Sequence, residues 1–391
     1  MRLFKIILAA VSLAVPAFAV PPQPLHTVQK FQGQTTGRYI VKLKDGVAKA
    51  PVLGRLNAKV THDWEIINGF AGELDTTTLN ALRALPDVEY ISEDGMVHTM
   101  VTQDNAPWGL SRLSSTTWPK EQNDSALTFP YTYEENPGHG VDIYIVDTGI
   151  YTAHSQFDGR ARWGKTFGGY ADADGNGHGT HVAGTAAGRD FCVAKEANLI
   201  AVKVMSDDGS GATTDIISGM DYVLEQAKSS GRPSIVSMSL GSQFPVTALD
   251  DAVKSLTDGG VHVVVAAGNS DVPAETTSPA RAPSAVTVGA STIDDAKASF
   301  SNYGSVVDIF APGMHIISSW IGNSTATNNI SGTSMATPHV TGLIAYLIGR
   351  NGNSSPAAMS KTLKEMSLKG VLKLGLVPQL VGTPDELAHN Q

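Results

Sequence analysis

Residues 328–342, NNISGTSMATPHVTG, crowd three hydroxyls together: Ser331, Thr333 and Ser334. A hydroxyl attacks a carbonyl carbon only when a base takes its proton and donors stabilise the oxyanion that forms. Ser334 has the best setting. It precedes Met335-Ala336-Thr337-Pro338, and proline is tolerated in the first turn of a helix, so Ser334 stands at or next to a helix N-terminus. There its own backbone N–H points outward and the helix dipole favours a developing negative charge. Ser331 and Thr333 lie earlier in the loop and lack that donor.

The base comes from GNGHGTHVAGTAAG, 175–188, where His178 follows a glycine-rich loop and opens a helix whose Gly179, Ala183, Gly184 and Ala187 permit close packing. His181, one turn deeper, reads as a packed structural residue. Two histidines three apart are also a metal-binding pattern, but the glutamate that metalloprotease chemistry places between them is missing and no third ligand is evident. The orienting carboxylate is Asp147, which ends VDIYIVDTG with Gly149 allowing a tight turn. In isolation such an aspartate reads equally as a helix cap or an acceptor for loop amides. A base that must reach both a nucleophile and a carboxylate gives it a catalytic reading. Asn269, which ends VHVVVAAGN after Gly268, supplies a side-chain amide as the second oxyanion donor.

Asp147 and Asn269 terminate apolar runs, as Ser239 does at the end of SIVSMS, and the runs define the scaffold. VDIYIVDTG, ANLIAVKVM, SIVSMSLG, VHVVVAAGN and AVTVGAST each precede a turn or helical stretch. Such runs are what strands covered on both faces look like, so from Ala106 onward the expected fold is α/β, a mostly parallel sheet between helices. Sites in such sheets lie beyond the carboxyl ends of the strands. The preceding segment differs. Strand-like 37–46, a pair of strands around Asn68-Gly69 within 64–74, a helical 76–87 and a strand at 88–98, with room for a helix near 52–59, predict a small α+β domain. The polar stretch from His98 to Pro107 reads as a linker and processing site.

The chain of 391 residues is 42% hydrophobic and 17% charged, an ordinary globular balance. Its net charge of -9, without a Lys/Arg run, excludes the phosphate-neutralising patch of a nucleic-acid protein. Arg2 and Lys5, the apolar run from Ile6 to Val15 and Ala17-Phe18-Ala19 form a secretory leader cleaved after Ala19. No other stretch is long and apolar enough for a membrane span, so a soluble secreted product is expected. With Cys192 as the one cysteine, no intrachain disulfide forms, and that residue reads as a small buried hydrophobe.

Asp147-Thr148-Gly149, His178-Gly-Thr-His-Val-Ala-Gly and Gly332-Thr333-Ser334-Met-Ala-Thr-Pro together resemble the three signatures of the subtilisin-like serine proteases, in that family's order. NAPWGLSRLSS (105–115), VSMSLGS (236–242), ASFSNYGSVVDIFAPG (298–313) and SSWIG (318–322) are similar to its proteinase K branch. The resemblance implies a three-layer sandwich preceded by a ferredoxin-like propeptide that acts as inhibitor and intramolecular chaperone. The expected division is 1–19 leader, 20–98 propeptide with a boundary at 98–100, and 99–391 peptidase. It makes Ser334 the nucleophile, His178 the general acid/base, Asp147 its orienting partner, and Asn269 with the Ser334 amide the oxyanion hole. Protein and peptide substrates would lie as an extended strand between Gly209-Ser210-Gly211 and Ser239-Leu240-Gly241. The primary pocket, walled by Ser239–Gly241 with Ala266, Ala267 and Gly268, has no charged residue and implies large apolar or aromatic side chains.

The resemblance also implies a structural calcium ion held by Asp308 and the carbonyls of Pro283 and Ala285, and a monomer. Val182 stands where some relatives carry a cysteine and Thr213 where some carry a tyrosine, so neither feature transfers. Sequons at Asn123, Asn323, Asn329 and Asn353 offer glycan sites, with Asn329 expected to be enclosed. Rival readings are a non-catalytic binding protein, an independently acting inhibitor in 37–98, and an esterase. The first is disfavoured because all four catalytic residues are present, and the last because a long backbone-pairing cleft suits peptides.

Overall fold

The computed structural model describes residues 25–31, 35–56, 59–97, 99–135 and 137–390. The expected leader and His98 lie outside them. The chain forms two compact units, Met1–Val97 and His98–Gln391.

In the first unit the alternation of 37–46 becomes the strand Thr35–Leu43, which buries Val41 and Leu43 completely. It pairs antiparallel with Gly69–Glu73 on one side and Val88–Gly95 on the other. Lys59–Trp64 completes a hairpin with Gly69–Glu73, turning at Asn68 with φ 45, a left-handed conformation that asparagine tolerates. The helix Thr76–Arg83 starts where the Asp75 carboxylate accepts the Thr78 N–H at 2.7 Å. A second helix spans Lys49–Leu53, upstream of the expected 52–59, because Lys59, Val60 and Thr61 are taken into the sheet. Val28–Gln29 adds an unforeseen parallel edge.

The second unit is built on a nine-stranded sheet. All five apolar runs singled out above are parallel strands in it: Asp142–Asp147, Asn198–Lys203, Ser234–Met238, His262–Ala266 and Val286–Ser291. The sheet's other four strands escaped the sequence reading: Ala161–Thr166 is a partly exposed edge with mixed polarity, Ile309–Pro312 is only four residues long, and Leu368–Lys369 and Glu386–Leu387 are two residues each. Helices His178–Ala187 and Thr333–Asn351 pack into the core cluster on one face, while Thr213–Ser230 and Thr247–Asp258 share the other. Asp142–Asp147 lies between Asn198–Lys203 and Ser234–Met238, so the winding reverses there. The crevice at such a reversal is where open α/β sheets place their sites.

Cys192 is buried and unpaired. Asn123, Asn323, Asn329 and Asn353 are all exposed. Asn329 therefore departs from the enclosure expected of it. It sits on the strand Thr327–Ile330, whose alternate residues face outward, and Asn329 occupies an outward position. No helix of the described residues is long and apolar enough to cross a membrane.

Candidate active site

Asp147 is the last residue of its strand and is fully buried. One carboxylate oxygen accepts the Thr148 N–H at 2.7 Å, and the two oxygens lie 2.8 and 3.0 Å from His178 Nδ1. The carboxylate fixes the proton on Nδ1 and leaves Nε2 as the free base. His178 opens its helix directly after Gly177, at φ 102. The helix can approach because residue 179 is glycine: a Cβ there would stand 2.1 Å from the Gly149 carbonyl oxygen. Burial pushes the His178 pKa down, but the charge and hydrogen bond of Asp147, joined by the charge of Asp174, pull it up by more, to above the usual 6.5.

Asp174 organises this helix entrance. Its Oδ1 accepts from Thr148 Oγ1 at 2.9 Å, Asn176 N at 3.1 Å and Gly177 N at 2.9 Å; its Oδ2 accepts from Thr180 N at 3.0 Å and Thr180 Oγ1 at 2.6 Å. It thus satisfies N–H groups that a helix start leaves without partners. Thr148 Oγ1 in turn accepts the Gly179 N–H at 3.0 Å, which ties the Asp147 turn to the His178 helix. His181 is buried, with Nε2 donating to the carbonyls of Ile316 at 2.9 Å and Asn328 at 3.2 Å, and burial pushes its pKa down to about 3. It is a neutral packing residue.

Ser334 is the second residue of the helix Thr333–Asn351, so it lies at the N-terminus as expected, although Pro338 sits beyond the first turn. A proline at 338 donates no N–H to the carbonyl four residues earlier, which is that of Ser334. Ser239 Oγ donates to this carbonyl instead, at 2.8 Å, while Ser334 Oγ donates to the Ser239 carbonyl at 3.1 Å. The nucleophile candidate and the expected substrate-binding segment are joined by reciprocal bonds.

Asn269 follows Gly268, which holds φ 105. Its Oδ1 accepts both the N–H and the Oγ1–H of Thr333 at 2.8 Å each. Since the carbonyl end is occupied, the amide N–H groups turn away from Thr333. Asn269 and Ser334 line one cavity of about 310 Å³ together with Ser239, Leu240, Gly241, Ala266, Ala267 and Gly268, and no charged side chain lines it. Gly209, Ser210 and Gly211 do not line this cavity; they form an exposed arm. Buried Lys203 ties the base of that arm to the Asp147 turn, donating to the Thr148 carbonyl at 2.7 Å and to Asp207 Oδ1 at 2.8 Å. Asn176 Nδ2 adds a bond to the Asp207 carbonyl at 2.8 Å.

The subtilase family model matches residues 138–382, and a peptidase inhibitor I9 model matches 38–100. The chain belongs to the subtilase family. It is similar to the subtilisin-like serine protease AsES of Sarocladium strictum, 43% identical across 100% of this chain and 99% of that protein. Proteinase R of Parengyodontium album is 45% identical over 86% of this chain and 85% of its own length. Among solved structures, a cold adapted subtilisin-like serine proteinase is similar with a TM-score of 0.66 and 41% identity, covering 73% of this chain and 99% of that one. This subtilase is a serine endopeptidase that carries an I9 propeptide domain.

The calcium expectation meets a different arrangement. Asp308 Oδ2 accepts the Thr287 N–H at 2.8 Å, and Oδ1 is 2.6 Å from Lys364 Nζ. Pro283 and Ala285 line a cavity of about 370 Å³ in which Asp308 takes no part. A divalent cation needs several free oxygens, and the residues as placed do not fit one.

Three residues of this subtilase, Asp174, Lys203 and Asn302, were not singled out by sequence, and neither was the orienting role of Thr333. Buried Asn302 holds the loop after His262–Ala266, donating to the Ala267 carbonyl at 2.8 Å and accepting from Ser270 N at 3.0 Å. A charged residue inside an apolar run was the available signal for Lys203. The others read as ordinary loop polarity.

Proposed function

We propose that this subtilase is a secreted endopeptidase that forms an acyl-enzyme on Ser334 and cleaves after large apolar or aromatic side chains. The observation that carries the reading is the shared cavity: Ser334, Asn269 and an uncharged pocket wall meet in one space. His178 Nε2 takes the Ser334 proton as Oγ bonds to the substrate carbonyl carbon. The oxyanion is met by the Asn269 amide and by the Ser334 N–H, one of the donors a helix start leaves unpaired. As the C–N bond breaks, His178 returns the proton to the leaving amine, and water repeats the sequence to release the acid. An extended peptide pairing with Gly209–Gly211 and Ser239–Gly241 gives breadth, because backbone groups are the same in every sequence.

The division between Val97 and His98 supports self-cleavage within His98–Met100, with residues 20–98 acting as inhibitor and chaperone. The sequons and the leader support a secreted, glycosylated product. Hydrolysis of succinyl-Ala-Ala-Pro-Phe anilide by the secreted protein and by Ser334→Ala, with inhibitor labelling read by mass spectrometry, tests the reading. Activity and a label on Ser334, both absent from the variant, are expected. A wild-type protein that is silent after its propeptide has gone sinks the assignment, and a mature N-terminus before Gly95 or after Ala106 sinks the cleavage site.

A further inference from the structure

We propose that the ammonium of Lys364 is the cation of the Asp308 site, a tethered charge standing where the family resemblance places calcium. The local hydrogen bonding shows what Asp308 does. Its carboxylate takes the Thr287 N–H at 2.8 Å, and its own N–H donates to the Thr287 carbonyl at 2.9 Å, so it clamps the strand Val286–Ser291 beside the start of Ile309–Pro312. The carboxylate in that place is partly buried, with its side chain 19% exposed, and a positive charge beside it offsets the cost of that burial.

Lys364 supplies it from 2.6 Å. It lies in the last turn of the helix Pro356–Met366, where a cation also complements the helix dipole. Met359 and Leu363 bury that helix in the core, so the lysine backbone is fixed beside its partner rather than carried on a loop. The second carboxylate of the neighbourhood is matched in the same way. Asp258, which lines the cavity with Pro283 and Ala285, is 2.5 Å from Lys254. A divalent ion entering here would meet the Lys364 ammonium at close range, and it would find both Asp308 oxygens already engaged. The site is therefore neutral without a metal, and calcium gains a place only if Lys364 withdraws.

The test is thermal melting of the mature enzyme, its serine blocked with a sulfonyl fluoride to prevent self-digestion, in excess chelator and in millimolar calcium. The native enzyme and Asp308→Asn are expected to respond to calcium identically, within about 1 °C of each other. Lys364→Met frees the carboxylate and is expected to gain a calcium-dependent rise of about 2–4 °C, as ligand binding to the folded state alone requires. The double variant Lys364→Met/Asp308→Asn loses that gain. Terbium luminescence reads binding directly, with signal expected from Lys364→Met in excess of the native enzyme. A native calcium response that disappears in Asp308→Asn overturns the proposal, as does a folded Lys364→Met that ignores calcium. Should Lys364→Met fail to fold, the comparison of native enzyme with Asp308→Asn still decides.

Discussion

Substituting Asp174 by asparagine separates two roles that the structure gives one side chain. Asp174 accepts five hydrogen bonds, two of them on Oδ2 from Thr180 N and Oγ1. An asparagine keeps the Oδ1 set but turns an N–H₂ group toward two donors. The Thr180 hydroxyl can rotate, but its backbone N–H is left buried without an acceptor. One such group costs about 1–3 kcal/mol, which in a domain of this size lowers Tm by roughly 5 °C. The second role is electrostatic. Asp174 is among the groups that raise the His178 pKa, so removing its charge lowers that pKa. His178 is active when neutral, and activity is lost as pH falls through its pKa. The acid limb of the kcat/KM profile, which reports the free enzyme, therefore moves to lower pH in Asp174→Asn. Peptide anilide kinetics across the neutral range, beside a thermal melt, measure both. An unmoved limb refutes the electrostatic role, and an unchanged Tm refutes the capping role.

Asn269→Ala should lower kcat by roughly 10²–10³ with little change in KM, the usual loss for one oxyanion donor, a figure that rests partly on subtilisin itself; a loss below tenfold would mean that the amide does not face the oxyanion. Acid should destabilise the fold through two buried histidines, because burial pushes His181 down to about 3 and His339 down to about 4 from the usual 6.5. Both stay neutral in the folded state, so their contribution is complete above the unfolded pKa and is lost as pH falls toward the folded values. At about pH 5 each has given up roughly 2 kcal/mol, and a denaturant midpoint that stays flat from neutral pH to that point would contradict the burial argument.

Sequence disclosed what is written at the ends of elements. Asp147, His178 and Asn269 each stand where an apolar run or a glycine turn meets a polar loop, and the five buried strands were legible because a sheet covered on both faces leaves continuous apolar runs. What stayed hidden depends on partners remote in the chain. Thr333 looked like a hydroxyl without a donor, yet its bond to Asn269, 64 residues away, is what turns that amide. Asp174 lies in ADADGNG, which has the composition of any solvated loop. Asp308 was legible as a carboxylate, but a tethered lysine 56 residues later is a matter of packing, since nothing in its local sequence chooses between an ammonium and a metal ion.

Pro338 shows the limit of the local rule most clearly. Proline inside a helix reads as a boundary because it leaves a carbonyl unpaired, and that reasoning placed Ser334 near the start of its helix. The helix nevertheless continues through Pro338. The freed carbonyl belongs to Ser334 itself and is satisfied by Ser239 Oγ from the strand end across the cleft. A defect that is costly in an isolated helix thus becomes the contact that registers Ser334 against the segment starting at Ser239. The local penalty is visible in sequence, while its compensation exists only once the two segments are packed together.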